Sequence, residues 1–101
     1  MAHTIEATEP INRGSLTGVI AVLDITALDA AGTENFDPAA ELGITGASGR
    51  FGIDVRAQAD NDYRITWDHV NEELAVQDVA DGADTANDTA VGEVMLEVIG
   101  V

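Results

Sequence analysis

Apolar and polar residues alternate with a period of two along much of the chain, which is the pattern of a half-buried β-strand. One such segment is 50–56, whose apolar positions are Phe51, Ile53 and Val55. A second is 63–68, whose apolar positions are Tyr63, Ile65 and Trp67. The apolar residues 74–76 follow this second segment after a short polar stretch. We therefore expect 63–68 and 74–76 to pair as an antiparallel hairpin.

The segment 18–28 is apolar on both of its alternating faces. One face carries Ile20, Val22 and Leu28, and the other carries Val19, Leu23 and Ile25. A strand with two apolar faces is either central in a sheet or covered at an interface. The apolar alternation at 94–98 predicts a final strand tied into the sheet. Residues 4–8 alternate before Pro10, which predicts a short edge strand or an arm.

Turn-forming residues separate these strands. The segment 29–49 is rich in glycine, and within it only Pro38–Leu42 has the features of a short helix, with proline at its start and Gly43 at its end. The acidic segment 80–90 predicts a solvated loop. We expect an all-β protein, a small antiparallel sandwich or barrel of about six to seven strands with at most one short helical turn. Residues 1–15 are expected to form the N-terminal arm or edge strand, and residues 16–101 a single β domain.

The net charge of the chain limits the partners it can bind. The 101 residues carry 19 acidic and 4 basic side chains, for a net charge of −15, and every basic residue is arginine. Such a surface repels phosphate, so we expect no nucleic-acid partner. Carboxylates dispersed among apolar residues, without lysine, favour a protein of a high-salt cytoplasm, where screening suppresses self-repulsion.

The sequence gives little support for a metal site, a cofactor site or a membrane segment. Cysteine is absent and only His3 and His69 could supply imidazole, so we expect no metal site and no cofactor. No apolar run reaches the length of a spanning helix, and the first residues lack the profile of a secretory signal. We therefore expect a soluble protein that is not secreted by that route and has no membrane partner.

Candidate catalytic and ligand-binding residues each have a simpler structural interpretation. Ser15 and Ser48 are the only serines, and neither has the strand, turn and helix context of a nucleophile elbow, so we expect no enzyme. The acidic loop Asp81–Asp88 lacks the spacing of a calcium loop. His69 is expected in a surface turn, and Trp67 is expected in the core, although an aromatic platform for a carbohydrate is an alternative.

Association with other proteins accounts best for the surplus of apolar surface. The apolar strand near 19–28 offers more hydrophobic area than one small sandwich needs. Arginine is suited to interface ion pairs, although pairing with Asp54 or Asp68 on the surface is an equal alternative. The candidate interface residues are Arg50, Arg56, Arg64, Val19, Leu23 and Ile25.

The layout resembles a group of small structural proteins from tailed viruses of bacteria and archaea. The residues that carry the resemblance are GVIAVLD at 18–24, ELGI at 41–44, DYRITWD at 62–68 with ELAV at 73–76, and VMLEVIG at 94–100. The resemblance spans about residue 16 to the end of the chain. It implies a component of a virus particle, a head decoration or capsid-stabilising protein with no catalytic residues.

These observations predict a non-enzymatic β-sandwich protein of a haloarchaeal virus. We expect it to decorate or cement the capsid shell by contact with the major capsid protein, with itself, or with both, and to reside in the virion. One alternative is a tail-tube or head–tail connector protein. Another is a cellular module that binds a small ligand or a carbohydrate.

Overall fold

The computed structural model describes residues 3–47 and 52–101. These residues form seven β-strands and one short helix. In chain order, the elements are β1 (His3–Arg13), β2 (Leu16–Ile25), β3 (Thr33–Asn35), α1 (Pro38–Leu42), β4 (Ile53–Gln58), β5 (Tyr63–Asp68), β6 (Glu73–Asp78) and β7 (Gly92–Gly100). None of the described helices is long and apolar enough to cross a membrane.

The strands form two antiparallel sheets that enclose one core. A four-stranded sheet has the order β1-β2-β7-β4, and a three-stranded sheet has the order β3-β6-β5. The core is formed by the inward side chains of both sheets together with apolar residues of the connecting loops. They are Leu23, Ile25, Leu28, Phe36, Ile44, Ala47, Ile65, Leu74, Val76, Val91, Val94, Leu96 and Val98. The predicted all-β architecture, with seven strands and a single short helical piece, is confirmed.

The two most apolar strands predicted from the sequence, β2 and β7, are the central strands of the four-stranded sheet. β2 lies between β1 and β7, and β7 lies between β2 and β4. The N-terminal strand β1 pairs with β2 along its whole length and forms one edge of the sheet. Pro10, which has no N–H to donate, lies in this edge strand, and the register shifts between Ile5 and Ala7. Both features discourage further strand pairing at this edge.

The predicted hairpin is the pair β5 and β6, in which Ile65 lies opposite Val76. Its connection is closed by Asp68, whose Oδ1 accepts hydrogen bonds from the backbone N–H groups of Val70 (3.0 Å) and Asn71 (3.2 Å). The hydrogen bond from the Asn71 side chain, with these backbone bonds, lowers the pKa of the Asp68 carboxyl. The short polar turn therefore has the local side-chain bonding that an Asx turn requires.

The predicted helical turn is α1, and its ends follow the expected chemistry. The Asp37 carboxylate accepts hydrogen bonds from the N–H groups of Ala39 (3.1 Å) and Ala40 (3.3 Å). Gly43 ends the helix in the left-handed region, with φ of 71°. A residue with a side chain would be strained at this position, which explains why glycine terminates the helix.

Two parts of the loop regions differ from expectation. The short strand β3 lies within 29–49, where the sequence predicts only turns and a helical piece. Thr85, within the acidic loop, is buried. Its hydroxyl donates a hydrogen bond to Asp78 Oδ1 (2.8 Å), and its N–H donates one to the carbonyl of Val76 (3.1 Å). Part of this loop is therefore anchored to β6, while most of its other residues are exposed as predicted.

Candidate functional site

The four-stranded sheet has an outward surface that no described element covers, which we call the outer face. Its side chains alternate with the buried ones of the same strands, and the strand register places them in rows. The outer face consists of Thr4, Ala7, Glu9, Ile11 and Arg13 of β1, Leu16, Gly18, Ile20, Val22 and Asp24 of β2, Asp54, Arg56 and Ala57 of β4, and Glu93, Met95, Glu97 and Ile99 of β7.

One row of the outer face is apolar across all four strands. Ala7 lies opposite Val22, Val22 opposite Met95, and Met95 opposite Ala57. Met95 is 37% exposed, which is high for a large apolar side chain in a central strand. A depression of about 220 Å³ lies at the β4 end of this row, lined by Val22, Ala57, Met95 and their neighbours. The row is therefore an open apolar strip.

Carboxylates lie on both sides of the apolar row. Asp24 and Glu93 are paired in the row on one side. On the other side Ile20 separates Glu9 from Glu97, and Glu97 lies opposite Asp54. The outer face therefore presents an apolar strip between two acidic borders.

The arginines of this face act within the chain. The Arg13 guanidinium donates a hydrogen bond to Glu97 Oε1, and Arg56 Nη1 lies 3.4 Å from Glu97 Oε2. Arg13 and Arg56 are 44% and 49% exposed, whereas Glu97 is 15% exposed. The two cations thus cover one central carboxylate, and Arg56 pairs with Glu97 on the adjacent strand rather than with Asp54.

The candidate interface residues do not come together on one surface. Leu23 and Ile25 are fully buried in the chain's own core, so they are not available to a partner. Val19 packs against the same core. Arg64 is exposed on β5 of the three-stranded sheet, away from Arg56 on β4 of the four-stranded sheet. Arg50 lies outside the described residues.

The sequence prediction therefore selected the buried face of β2. Both faces of this strand are apolar, and alternation does not say which of them meets the second sheet. In the structure Leu23 faces the core, whereas Ile20 and Val22 lie half-buried on the outer face. Their pairing with acidic and apolar residues of neighbouring strands is visible only from the register.

A second cluster, which the sequence did not reveal, surrounds His3. Its Nδ1 lies 2.5 Å from Glu34 Oε2, and its Nε2 lies 2.6 Å from Glu41 Oε1. Because carboxylates accept hydrogen bonds, both ring nitrogens donate, which requires the imidazolium form. The imidazole also packs edge-on against Phe36, with ring centroids 5.9 Å apart. We call this cluster the His3 clasp, since it joins β1 to β3 and α1.

Each carboxylate of the clasp is held by a backbone N–H group. Glu34 Oε1 accepts from the N–H of Asp29 (3.0 Å), and Glu41 Oε2 accepts from the N–H of Asp37 (2.9 Å). Glu34 is fully buried. Burial by itself would lower the pKa of His3, but the hydrogen bonds that its ring donates to Glu34 and Glu41, together with the negative charges of these carboxylates, outweigh it and raise the pKa above 6.5. The clasp is thus a largely buried cluster of three ionised groups, in which both ring nitrogens and both carboxylates have hydrogen-bond partners.

The raised pKa of His3 predicts how stability depends on pH. The stabilisation by the clasp is complete below the unfolded-state pKa of 6.5 and is lost as pH rises through the higher folded-state pKa. We expect urea denaturation to show a decreasing free energy of unfolding over this alkaline range. His3→Gln should remove that part of the dependence, and His69→Gln, in the exposed turn, should retain it. An identical pH profile for wild type and His3→Gln would contradict the assignment.

The net charge of −15 predicts a second dependence, on salt. Molar salt shortens the Debye length to about 3 Å, whereas at about 0.1 M it is about 10 Å and carboxylates repel one another over longer distances. We expect the melting temperature to fall on dialysis from molar to about 0.1 M sodium chloride. Potassium chloride at equal ionic strength should act alike, and a melting temperature that does not change with salt would contradict this expectation.

The other candidate residues occupy ordinary structural positions. Ser15 is exposed in the turn between β1 and β2, His69 is exposed in the β5–β6 turn, and Ser48 lies outside the described residues. Trp67 packs against the core, with its ring 6.4 Å from that of Phe36 and nearly perpendicular to it. Its Nε1 is buried without a hydrogen-bond partner. The indole is thus partly buried against the core, as the alternation of β5 predicts.

Within 3–47 and 52–101, no group of three or more histidine or acidic side chains is placed to hold a metal ion. The His3 clasp illustrates the reason, since its carboxylates lie on opposite nitrogens of one ring and do not converge on a common point. A scan against protein-family models finds no match, and neither the curated proteins nor the solved structures yield a significant match to this chain.

Proposed function

We propose that this chain is a non-enzymatic structural protein of a virus particle, which decorates or cements the capsid shell through protein–protein contacts. The observation that carries the proposal is the outer face, an open apolar strip on an otherwise strongly acidic molecule. An apolar patch that folding leaves open is typical of a surface used for association. The resemblance to small structural proteins of tailed viruses provides the setting.

The scale of the outer face suits a repeated, individually weak contact. Four strands about 4.8 Å apart and about nine residues long, at about 3.3 Å per residue, form a face of roughly 20 by 30 Å. This is somewhat smaller than the roughly 800 Å² that each partner contributes to a standard interface. A single contact of this size is modest, but many copies on one shell gain strength from multivalency.

The remaining chemistry of the described residues supports a scaffold. In two clusters of ionisable groups, the His3 clasp and the Glu97 ion pairs, the charged side chains are paired with one another. Such contacts hold strands and loops in place. In this proposal the rigid sandwich displays the outer face, and the acidic surface elsewhere keeps the protein hydrated in brine.

Mass spectrometry of gradient-purified virus particles tests whether the chain is a component of the particle. We expect to find it there in a copy number comparable to that of the major shell protein. Co-sedimentation of the purified chain with shells depleted of it tests the surface. Ala57→Lys, on the outer face, should reduce co-sedimentation, whereas Ala80→Lys, in an exposed turn, should not. Absence of the chain from particles would overturn the proposed setting, and equal co-sedimentation of both variants would overturn the assigned surface.

A further inference from the structure

We infer that the outer face takes a protein surface whose apolar side chains are flanked on both sides by lysine or arginine, and not a second copy of this chain. The inference rests on the proposed function, in that it names the partner chemistry of the same surface. Its basis is the order of the rows, in which an apolar strip is bordered by carboxylates along both sides.

The row spacing sets the geometry of the partner. Residues of one strand that share a face are about 6.6 Å apart. Asp24 and Glu93 therefore lie in the row about 6.6 Å to one side of the Val22–Met95 pair. Glu9 and Asp54 lie in the row at the same distance on the other side. A partner surface complements both acidic borders if it has a row of apolar side chains with basic side chains about 6.6 Å away on each side.

The charges of the borders are available to a partner. Glu97 is covered by Arg13 and Arg56. In contrast, the side chains of Glu9, Asp24, Asp54 and Glu93 form no ion pair with any cation in the described part of the chain. These four carboxylates can therefore receive cations from outside, and complementary charge across an interface favours encounter and excludes wrong partners.

A second copy fits this face poorly. Stacking two outer faces buries the apolar strips against one another, but it also brings the acidic borders of one copy against those of the other. Juxtaposed like charges at an interface strongly disfavour association. Arg13 and Arg56, the described cations of the outer face, are already paired with Glu97 of their own chain. The outer face carries five carboxylates, those of Glu9, Asp24, Asp54, Glu93 and Glu97, against these two arginines, so its net charge is negative and a self-contact remains repulsive.

Synthetic peptides test the partner chemistry on the intact protein. The probes are a leucine–lysine peptide with the pattern lysine–serine–leucine–serine–lysine, which places the leucine between two lysines on one face, a leucine–glutamate peptide with glutamate in place of lysine, and a serine–lysine peptide with serine in place of leucine. We expect the leucine–lysine peptide to bind at least about tenfold more tightly than either control, because each control lacks one of the two complementary features. Titration calorimetry in moderate salt measures the three affinities.

Matched variants locate the binding. Ala57→Lys should weaken the leucine–lysine peptide at least about tenfold, whereas Ala80→Lys, which changes the net charge equally, should leave it within about twofold. Glu93→Gln should weaken it by up to about fivefold, and Glu72→Gln, in the β5–β6 turn, should not. Ala57, Ala80, Glu93 and Glu72 are all exposed, so these variants are expected to fold.

Four results would overturn the inference. Equal weakening by Ala57→Lys and Ala80→Lys would show general attraction to an acidic protein. Tighter binding of the leucine–glutamate peptide would show that the charge sign is wrong. Sedimentation showing a wild-type dimer that Ala57→Lys dissociates would make a second copy the occupant. If the peptides fail while Ala57→Lys alone impairs co-sedimentation with shells, the inference falls and the proposed function stands.

Discussion

Replacing Glu34 with alanine is expected to lower the free energy of unfolding by about 3–5 kcal/mol near pH 6, the range found when one partner of a buried ion pair is removed. Glu34 is fully buried, and its carboxylate accepts hydrogen bonds from His3 and from the N–H of Asp29. The substitution leaves a buried imidazolium with Glu41 as its remaining clasp partner and leaves the N–H of Asp29 without this acceptor.

The size of this effect should itself depend on pH. Glu34 contributes to the raised pKa of His3, so its removal lowers the pKa and the variant loses less stability than wild type as pH rises. The difference between the two proteins is therefore greatest in acid, where His3 is charged in wild type, and smaller in alkali. Urea denaturation at several pH values measures both the difference and its decline.

Glu93→Ala is the matched control for this experiment. Glu93 lies in a strand, is exposed and forms no ion pair with the described residues, so its replacement should change the free energy of unfolding by about 0.5 kcal/mol or less. If Glu34→Ala were no more destabilising than Glu93→Ala, the His3 clasp would not be a stabilising element of the fold.

Gly100→Ala is expected to destabilise the protein by about 1–3 kcal/mol, which is the usual cost of overpacking and corresponds to several degrees in melting temperature. A Cβ atom at this position would lie 2.2 Å from the carbonyl oxygen of Thr45 and 2.6 Å from Ile44 Cγ2. The Thr45 carbonyl accepts a hydrogen bond from the N–H of Val101 (2.8 Å), so it is held in place beside the end of β7. The main chain at Thr45 cannot rotate away from the added Cβ as a side chain could.

Gly18→Ala distinguishes this close approach from a general effect of replacing a strand glycine. A Cβ at Gly18 would also be crowded, at 2.6 Å from Ile11 Cγ1 and 3.0 Å from Arg13 Cγ, but these atoms belong to side chains on the outer face. Side chains on an edge strand can shift further than the main chain at Thr45, but the β-branched Ile11 does so at some cost. We expect Gly18→Ala to lower the melting temperature less than Gly100→Ala, and an equal loss in both variants would show that contact with the main chain at Thr45 is not the cause.

Local patterns were sufficient for most elements of this fold, with β3 as the exception. The alternation at Tyr63, Ile65 and Trp67 predicted β5, since a period of two is a property of the extended backbone itself. Proline at 38 and glycine at 43 predicted the bounds of α1, because both residues act through their own backbone geometry. The short strand β3 was missed because three residues, Thr33–Asn35, are too few to establish a period.

The candidate site could be predicted only in part. The apolar excess of β2 indicated a second apolar surface, and the structure contains one, but on the face of Val22 rather than that of Leu23. Arg56 and Arg64 were both candidates for one interface, yet they lie on different sheets. Which strands become neighbours depends on pairing between distant segments, and alternation within one segment carries no information about it.

What the sequence determined by itself is therefore local: extended segments, a capped helical turn, a polar hairpin connection and a net charge of −15. The tertiary structure alone decided that His3 meets Glu34 and Glu41, 31 and 38 positions away, and that four separate strands align an apolar row between acidic ones. The reason is physical. Backbone preferences act over a few residues, whereas burial and charge pairing act between whichever side chains the packed sheets bring together.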